Sequence, residues 1–176
     1  PTITNTPSVT NTPSIPGNLA AEFESIVTPG DNFALSTIVF SEEIDDALQP
    51  IKKAKEFENP LKTIYGTYSY NMMDVGVQWT ELWYRGEELL HANTGRWQGG
   101  SGGYGVAKLE LEANEWKPGE YRLLFFVGHR WVLSGHFIVL GNPPTSTPTI
   151  TPTVTLTPMP TNTVIPTQTP SKTSTP

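Results

Sequence analysis

The sequence predicts an all-β fold, a single antiparallel β-sandwich of about seven strands. Three observations carry that expectation. Short aromatic and β-branched runs alternate with Gly-, Pro- and Asn-containing turns, spaced at roughly 8–12 residues as in β-sandwiches. Helical periodicity is almost absent from the middle of the chain. Finally, Val77–His91, VQWTELWYRGEELLH, reads as a complete hairpin: two tryptophans and a tyrosine, a short Arg85–Gly86–Glu87 turn, then a second extended run.

Composition divides the chain into three parts. Residues 1–17 and 143–176 hold 13 of the 17 prolines and one charged residue, Lys172. The last 34 residues contain 13 Thr, 9 Pro and 3 Ser. Such segments lack the apolar mass to offset chain entropy, so they read as disordered or polyproline-like linkers. That leaves 18–142 as one globular domain, near the usual single-domain size. Without Lys172 the domain carries 10 basic against 17 acidic residues, a net charge of −7 that disfavours nucleic acid as a partner. No cysteine is present, which excludes disulfides, thiol chemistry and Cys-based zinc sites. No apolar run in this fragment approaches the roughly 18–20 residues of a membrane span. The chain starts without Met and ends inside a repeat, so it reads as a piece of a longer protein.

The elements follow in order. A loose NTPS repeat forms the first linker, and Leu19–Val27 reads as a short strand. Thr28-Pro29-Gly30-Asp31 suits a type II turn with Gly at the positive-φ position. Phe33–Phe40 is a strand. Ser41–Pro60 is the least strand-like part. There Ser41 suits a helix cap, Glu42 and Glu43 the first turn, and Pro50 the interruption. Thr63–Tyr70 is β-branched and aromatic, hence a strand, and Asn71–Gly76 is a turn. Val77–Tyr84 and Glu87–Asn93 form the hairpin. Gly95–Gly105, with six glycines, reads as a long flexible loop. Tyr104–Leu111 is a strand, and Trp116–Tyr121 is a tight turn into the strand Tyr121–Val127. Gly128-His129 is a two-residue turn into the strand Trp131–Leu140. Alternation in Val77–Tyr84 is ambiguous, because Trp79 and Trp83 share a face with Glu81. A bulge near Thr80 would instead group Trp79 with Leu82 and Tyr84.

The runs G-V-x-W-T-x-L-W-Y-R-G-E-x-L (Gly76–Leu89), W-x-P-G-x-Y-R-L (Trp116–Leu123) and G-x-F-x-V (Gly135–Val139) resemble immunoglobulin-like and fibronectin type III-like β-sandwich modules of bacterial surface proteins, which are strung on Thr/Pro-rich linkers. The P-G-x-Y step resembles the turn before the penultimate strand of the fibronectin type III-like domains. The resemblance implies an immunoglobulin-like sandwich engaged in adhesion, spacing or ligand sensing, and an extracellular, secreted or cell-surface location in a bacterium. It identifies no catalytic residue, and the paired cysteines of the immunoglobulin pattern are missing. The same architecture hosts many functions.

Candidate sites are few. Gly99–Gly103 matches G-x-S-x-G, but the nucleophile elbow needs a strained strand-to-helix turn, and more glycine follows here instead. Glu42, Glu43, Asp45 and Asp46 lack the spacing of a calcium loop. His91, His129 and His136 lie on separate elements. His136 is out of phase with Phe137 and faces solvent, and no metal or cofactor is expected. The surplus is aromatic: Trp97 sits in the glycine-rich loop with Tyr104 just beyond. Trp97 is either a lid folded onto the sandwich or, with Tyr104, a stacking platform for a sugar or peptide. Leu124 and Phe126 point opposite to Tyr121, Leu123 and Phe125, so one set requires a covering element or a partner.

Two functions follow. The first is a non-enzymatic spacer, adhesion or assembly module working with other domains of the same polypeptide or with surface components. The second is a carbohydrate-binding or ligand-sensing module attached to an enzyme or receptor kinase, with Trp97 and Tyr104 contacting glycan. The density of Thr and Pro in the tails also marks their threonines for O-glycosylation, whereas no Asn-x-Ser/Thr sequon is present.

Overall fold

The computed structural model describes residues 12–145. The tail threonines beyond that range, and the linker character assigned to them, lie outside the described residues. Within the range a one-turn helix, α1 (Gly17–Ala20), precedes eleven strands: β1 (Ala34–Leu35), β2 (Val39–Ser41), β3 (Glu43–Ile44), β4 (Pro50–Ile51), β5 (Glu56–Glu58), β6 (Thr63–Asn71), β7 (Gln78–Arg85), β8 (Glu88–Arg96), β9 (Gly102–Glu110), β10 (Gly119–Val127) and β11 (Arg130–Leu140). The six from β6 onward are long, and the five before them are short.

The strands form an all-β sandwich. In one sheet β6 pairs antiparallel with β1 and β2 on one side and with β9 on the other. The second sheet has the order β5-β11-β10-β7-β8, antiparallel except for the short parallel pair β5–β11. Between the sheets, Phe40, Ile64, Ala107 and Leu109 of the first meet Trp83, Tyr121, Leu123, Phe137 and Val139 of the second. Burying each of the larger side chains contributes on the order of 1.5–3 kcal/mol before chain entropy is counted.

Both hairpins form where glycine permits them. The Arg85↔Glu88 pair is closed by Gly86 at φ 56°, and the Val127↔Arg130 pair by Gly128 at φ 58°. Such left-handed conformations are where glycine has least steric cost.

Four expectations are corrected. Leu19–Val27 is no strand: after α1 the chain runs irregularly, tied by Ser25 Oγ donating to the Gly76 carbonyl (2.5 Å) and by Arg96 donating to the Glu24 carbonyl (3.1 Å). Gly30 lacks a positive φ, so no type II turn forms there; its N–H donates to Asp74 Oδ2 at 3.1 Å. Ser41–Pro60 contains no helix, but the small β3–β4 hairpin followed by β5. Asp45 Oδ1 accepts from the amides of Ala47 and Gln49, holding a tight Asx-type turn, while Ser41 Oγ donates to the Glu43 carbonyl instead of capping. The glycine-rich stretch is mostly strand, since β8 runs to Arg96 and β9 starts at Gly102.

The ambiguity of β7 has a structural cause. Its register shift falls at Trp83/Tyr84, not near Thr80. Trp83 and Glu81 face inward, yet Leu82 on the opposite face is equally buried. That outer face is covered: Leu82, Leu124 and Phe126 form a separate cluster beneath Ile15 and Leu19. The N-terminal segment is therefore the covering element that Leu124 and Phe126 require. The packing reaches Ile15, inside the stretch that composition assigned to a linker.

Candidate functional site

The two sheets part between their edge strands β8 and β9. There a cleft of about 490 Å³ opens, lined by Tyr68, Tyr70, Trp79, Glu81, Trp97 and Tyr104, with Arg96 and Gln98 at its mouth. The glycines of the G-rich stretch build it. Tyr68 lies directly opposite Gly105, and a Cβ there would sit 2.5 Å from the Tyr68 ring. Tyr70 is opposite Gly103, whose φ of 155° and 3.0 Å approach to the Tyr70 hydroxyl both demand glycine. Trp79 is opposite Gly95, with its indole 3.6 Å from where a Cβ would be. Gly103 and Gly105 make room for rings that lie across the neighbouring strand, whereas a Cβ at 95 would make only an ordinary contact.

The cleft brings Trp97 and Tyr104 together but gives them unequal roles. Trp97 is only 8% exposed and packs with Tyr68, Met73 and Val77. Its Nε1 donates to the Gly100 carbonyl (3.2 Å), its backbone N–H donates to Val77 (2.8 Å), and its ring meets Tyr70 edge-on at 4.6 Å. That is the lid arrangement: the indole is a wall of the cleft and does not swing free. Tyr104 is 54% exposed on the rim. Trp79, half-buried, stacks on Phe125 at 6.0 Å.

The residue that sequence reading passed over is Glu81. It is 4% exposed, on the cleft's inner side, and forms no ion pair among the described residues. Burial raises its carboxyl to about 7, against the opposing pull of the Asn93 amide, which sits opposite in register, and of the Trp83 indole. Burial first, and then the charge of Glu81, holds the neighbouring Tyr68 phenol well above its ordinary value. The signal lies in the alternation, which sets Glu81 on one face with Trp79 and Trp83.

The other candidates do not converge on the cleft. His91 and His136 are exposed on β8 and β11, and His129 packs against Phe23 at 4.9 Å in the last hairpin turn. Among the described residues no three His, Asp or Glu side chains are placed to hold a metal ion. Ser101, centre of the G-x-S-x-G match, leads into β9 and not into a helix.

No family model matches the chain, and no curated protein matches it either. Among solved structures it is similar to a beta-glucosidase from Listeria innocua in complex with glucose, and to a mutant of that enzyme in complex with laminaribiose. Each match has a TM-score of 0.38 and 13% identity, covering 66% of this chain and 17% of the other. The chain thus spans about a sixth of those proteins, and a functional reading has to rest on its own residues.

Proposed function

We propose that the chain is a non-enzymatic, immunoglobulin-like module of an extracellular bacterial protein, and that it serves adhesion by holding a sugar ring in the β8/β9 cleft. The observation that carries this reading is an open cleft walled by Trp79, Trp97 and Tyr104 with the Glu81 carboxyl at its base. Aromatic faces suit the C–H faces of a pyranose, while a buried carboxyl accepts from ring hydroxyls. Glu81 is the one carboxyl group lining the cleft, whereas glycoside hydrolysis generally uses a carboxylate pair, which favours binding over cleavage. The immunoglobulin-like assignment is supported by Tyr121, whose hydroxyl donates to the Lys117 carbonyl (2.9 Å) at the start of β10, in the manner of a tyrosine corner. Extracellular placement is supported by the Thr/Pro-rich segments.

A second reading, spacer or assembly unit without a ligand, is favoured by the burial of Trp97. One experiment separates the two: a glycan array probed with the full chain and with Tyr104→Ala. Binding that disappears in the variant while its melting temperature is unchanged supports the sugar-binding reading. No glycan retained by the wild type, or retention by the variant, leaves the spacer.

A further inference from the structure

The sandwich has a second opening, on the side opposite the aromatic cleft. The free edge of β11 around Gly135 faces β2 across a cleft of about 620 Å³. The chain between β4 and β5 closes its lower end. There the Ala54 N–H donates to the Phe40 carbonyl (3.0 Å), and the Ile138 N–H donates to the Lys55 carbonyl (2.9 Å). The floor is apolar, made of Ile38, Val39, Phe40 and Ala54. Gly135 sets its depth, since a Cβ there would fall 2.8 Å from the Phe40 ring and 3.0 Å from Ile38.

The rim has the opposite character. Lys53, Lys55 and His136 line this cleft, and no carboxylate does. Among the described residues none of the three is within ion-pair distance of an acidic group. In a chain of net charge −6, the ammonium groups of Lys53 and Lys55 stand over an apolar floor with no carboxylate in the lining. Two ammonium groups on one short segment attract an anion, while the floor selects one with an apolar body.

We propose that the β2/β11 cleft binds a carboxylate carried on a short apolar body, with Lys53 and Lys55 holding the carboxylate and the body resting on Ile38 and Phe40. A free branched-chain acid and the carboxyl end of a peptide with an apolar last residue share this chemistry. Both can be tested by titrating the ¹⁵N-labelled full chain with isovalerate, N-acetyl-leucine and N-acetyl-leucinamide, following backbone amide shifts. Shifts at Val39, Ala54 and Gly135 with the acids, but not with the neutral amide, are expected. Binding should weaken about tenfold or more in Lys53→Ala/Lys55→Ala, as expected for losing charge-assisted contacts. Tighter binding of N-acetyl-leucine than of isovalerate identifies a peptide end, and the reverse a free acid. Absence of shifts, equal response to the amide, or undiminished binding in the double variant overturns the proposal. Both lysines are exposed, so the variant keeps its fold. None of these results depends on the aromatic cleft.

Discussion

Replacing Glu81 with Gln should stabilise the domain at about pH 8 and change it little near pH 5. The carboxyl is almost fully buried and is raised from 4.5 to about 7, chiefly by that burial. Below about pH 4.5 folded and unfolded chains both hold the proton, so burial carries no ionic penalty. As pH rises toward 7 the unfolded chain releases it while the folded chain retains it, and stability falls. Above 7 the folded chain holds a buried carboxylate, at a cost of roughly 3 kcal/mol at about 1.4 kcal/mol per pH unit. Gln keeps the shape and the contact with Asn93 but has no proton to lose. Urea unfolding of both proteins at several pH values between about 5 and 8 reads the difference directly. Exposed carboxylates act equally on both proteins and cancel. The gap should widen with pH to about 3 kcal/mol, equivalent to a melting shift on the order of 10 °C for a domain of this size. A gap that stays constant across the range would refute the argument.

Other consequences are independent of that carboxyl. Gly105→Ala should cost roughly 1–3 kcal/mol in urea unfolding, because its Cβ meets the Tyr68 ring, and Tyr68→Leu in the same chain should recover part of the loss. Trp97→Ala should cost roughly 3–5 kcal/mol, as for a truncated core tryptophan, whereas Tyr104→Ala should stay within about 0.5 kcal/mol of the wild type. A chain beginning at residue 21 should lose on the order of 2–4 kcal/mol relative to one beginning at residue 12, since Ile15 and Leu19 no longer cover Leu82, Leu124 and Phe126; equal unfolding midpoints would show that the segment does not pack there.

The parts of the fold that were legible in the sequence are those set by local chemistry. Gly86 and Gly128 mark hairpin turns because positive φ is a local demand, and the aromatic, β-branched run Thr63–Tyr70 marks β6 because such side chains suit a pleated surface. What failed depended on distant partners. The glycines at 103 and 105 look like flexibility until Tyr70 and Tyr68 are seen lying over them. Asp45 turns a segment with helix-start residues into a hairpin through its own side chain. The two buried faces of β7 contradict simple alternation because a segment some 60 residues earlier in the chain covers one of them. Of the site, Trp97 and Tyr104 were found by composition. Their unequal exposure, and Glu81 beneath them, required the register of β7, β8 and β9.

The claim that the β8/β9 cleft is a sugar site is tested most directly by titrating the ¹⁵N-labelled full chain with a panel of neutral monosaccharides. For at least one sugar, shifts are expected to concentrate at the Tyr104 and Gly105 amides and at the Trp79 and Trp97 indole N–H resonances, all lining or edging the cleft. Spectra in which no sugar moves those resonances would contradict it.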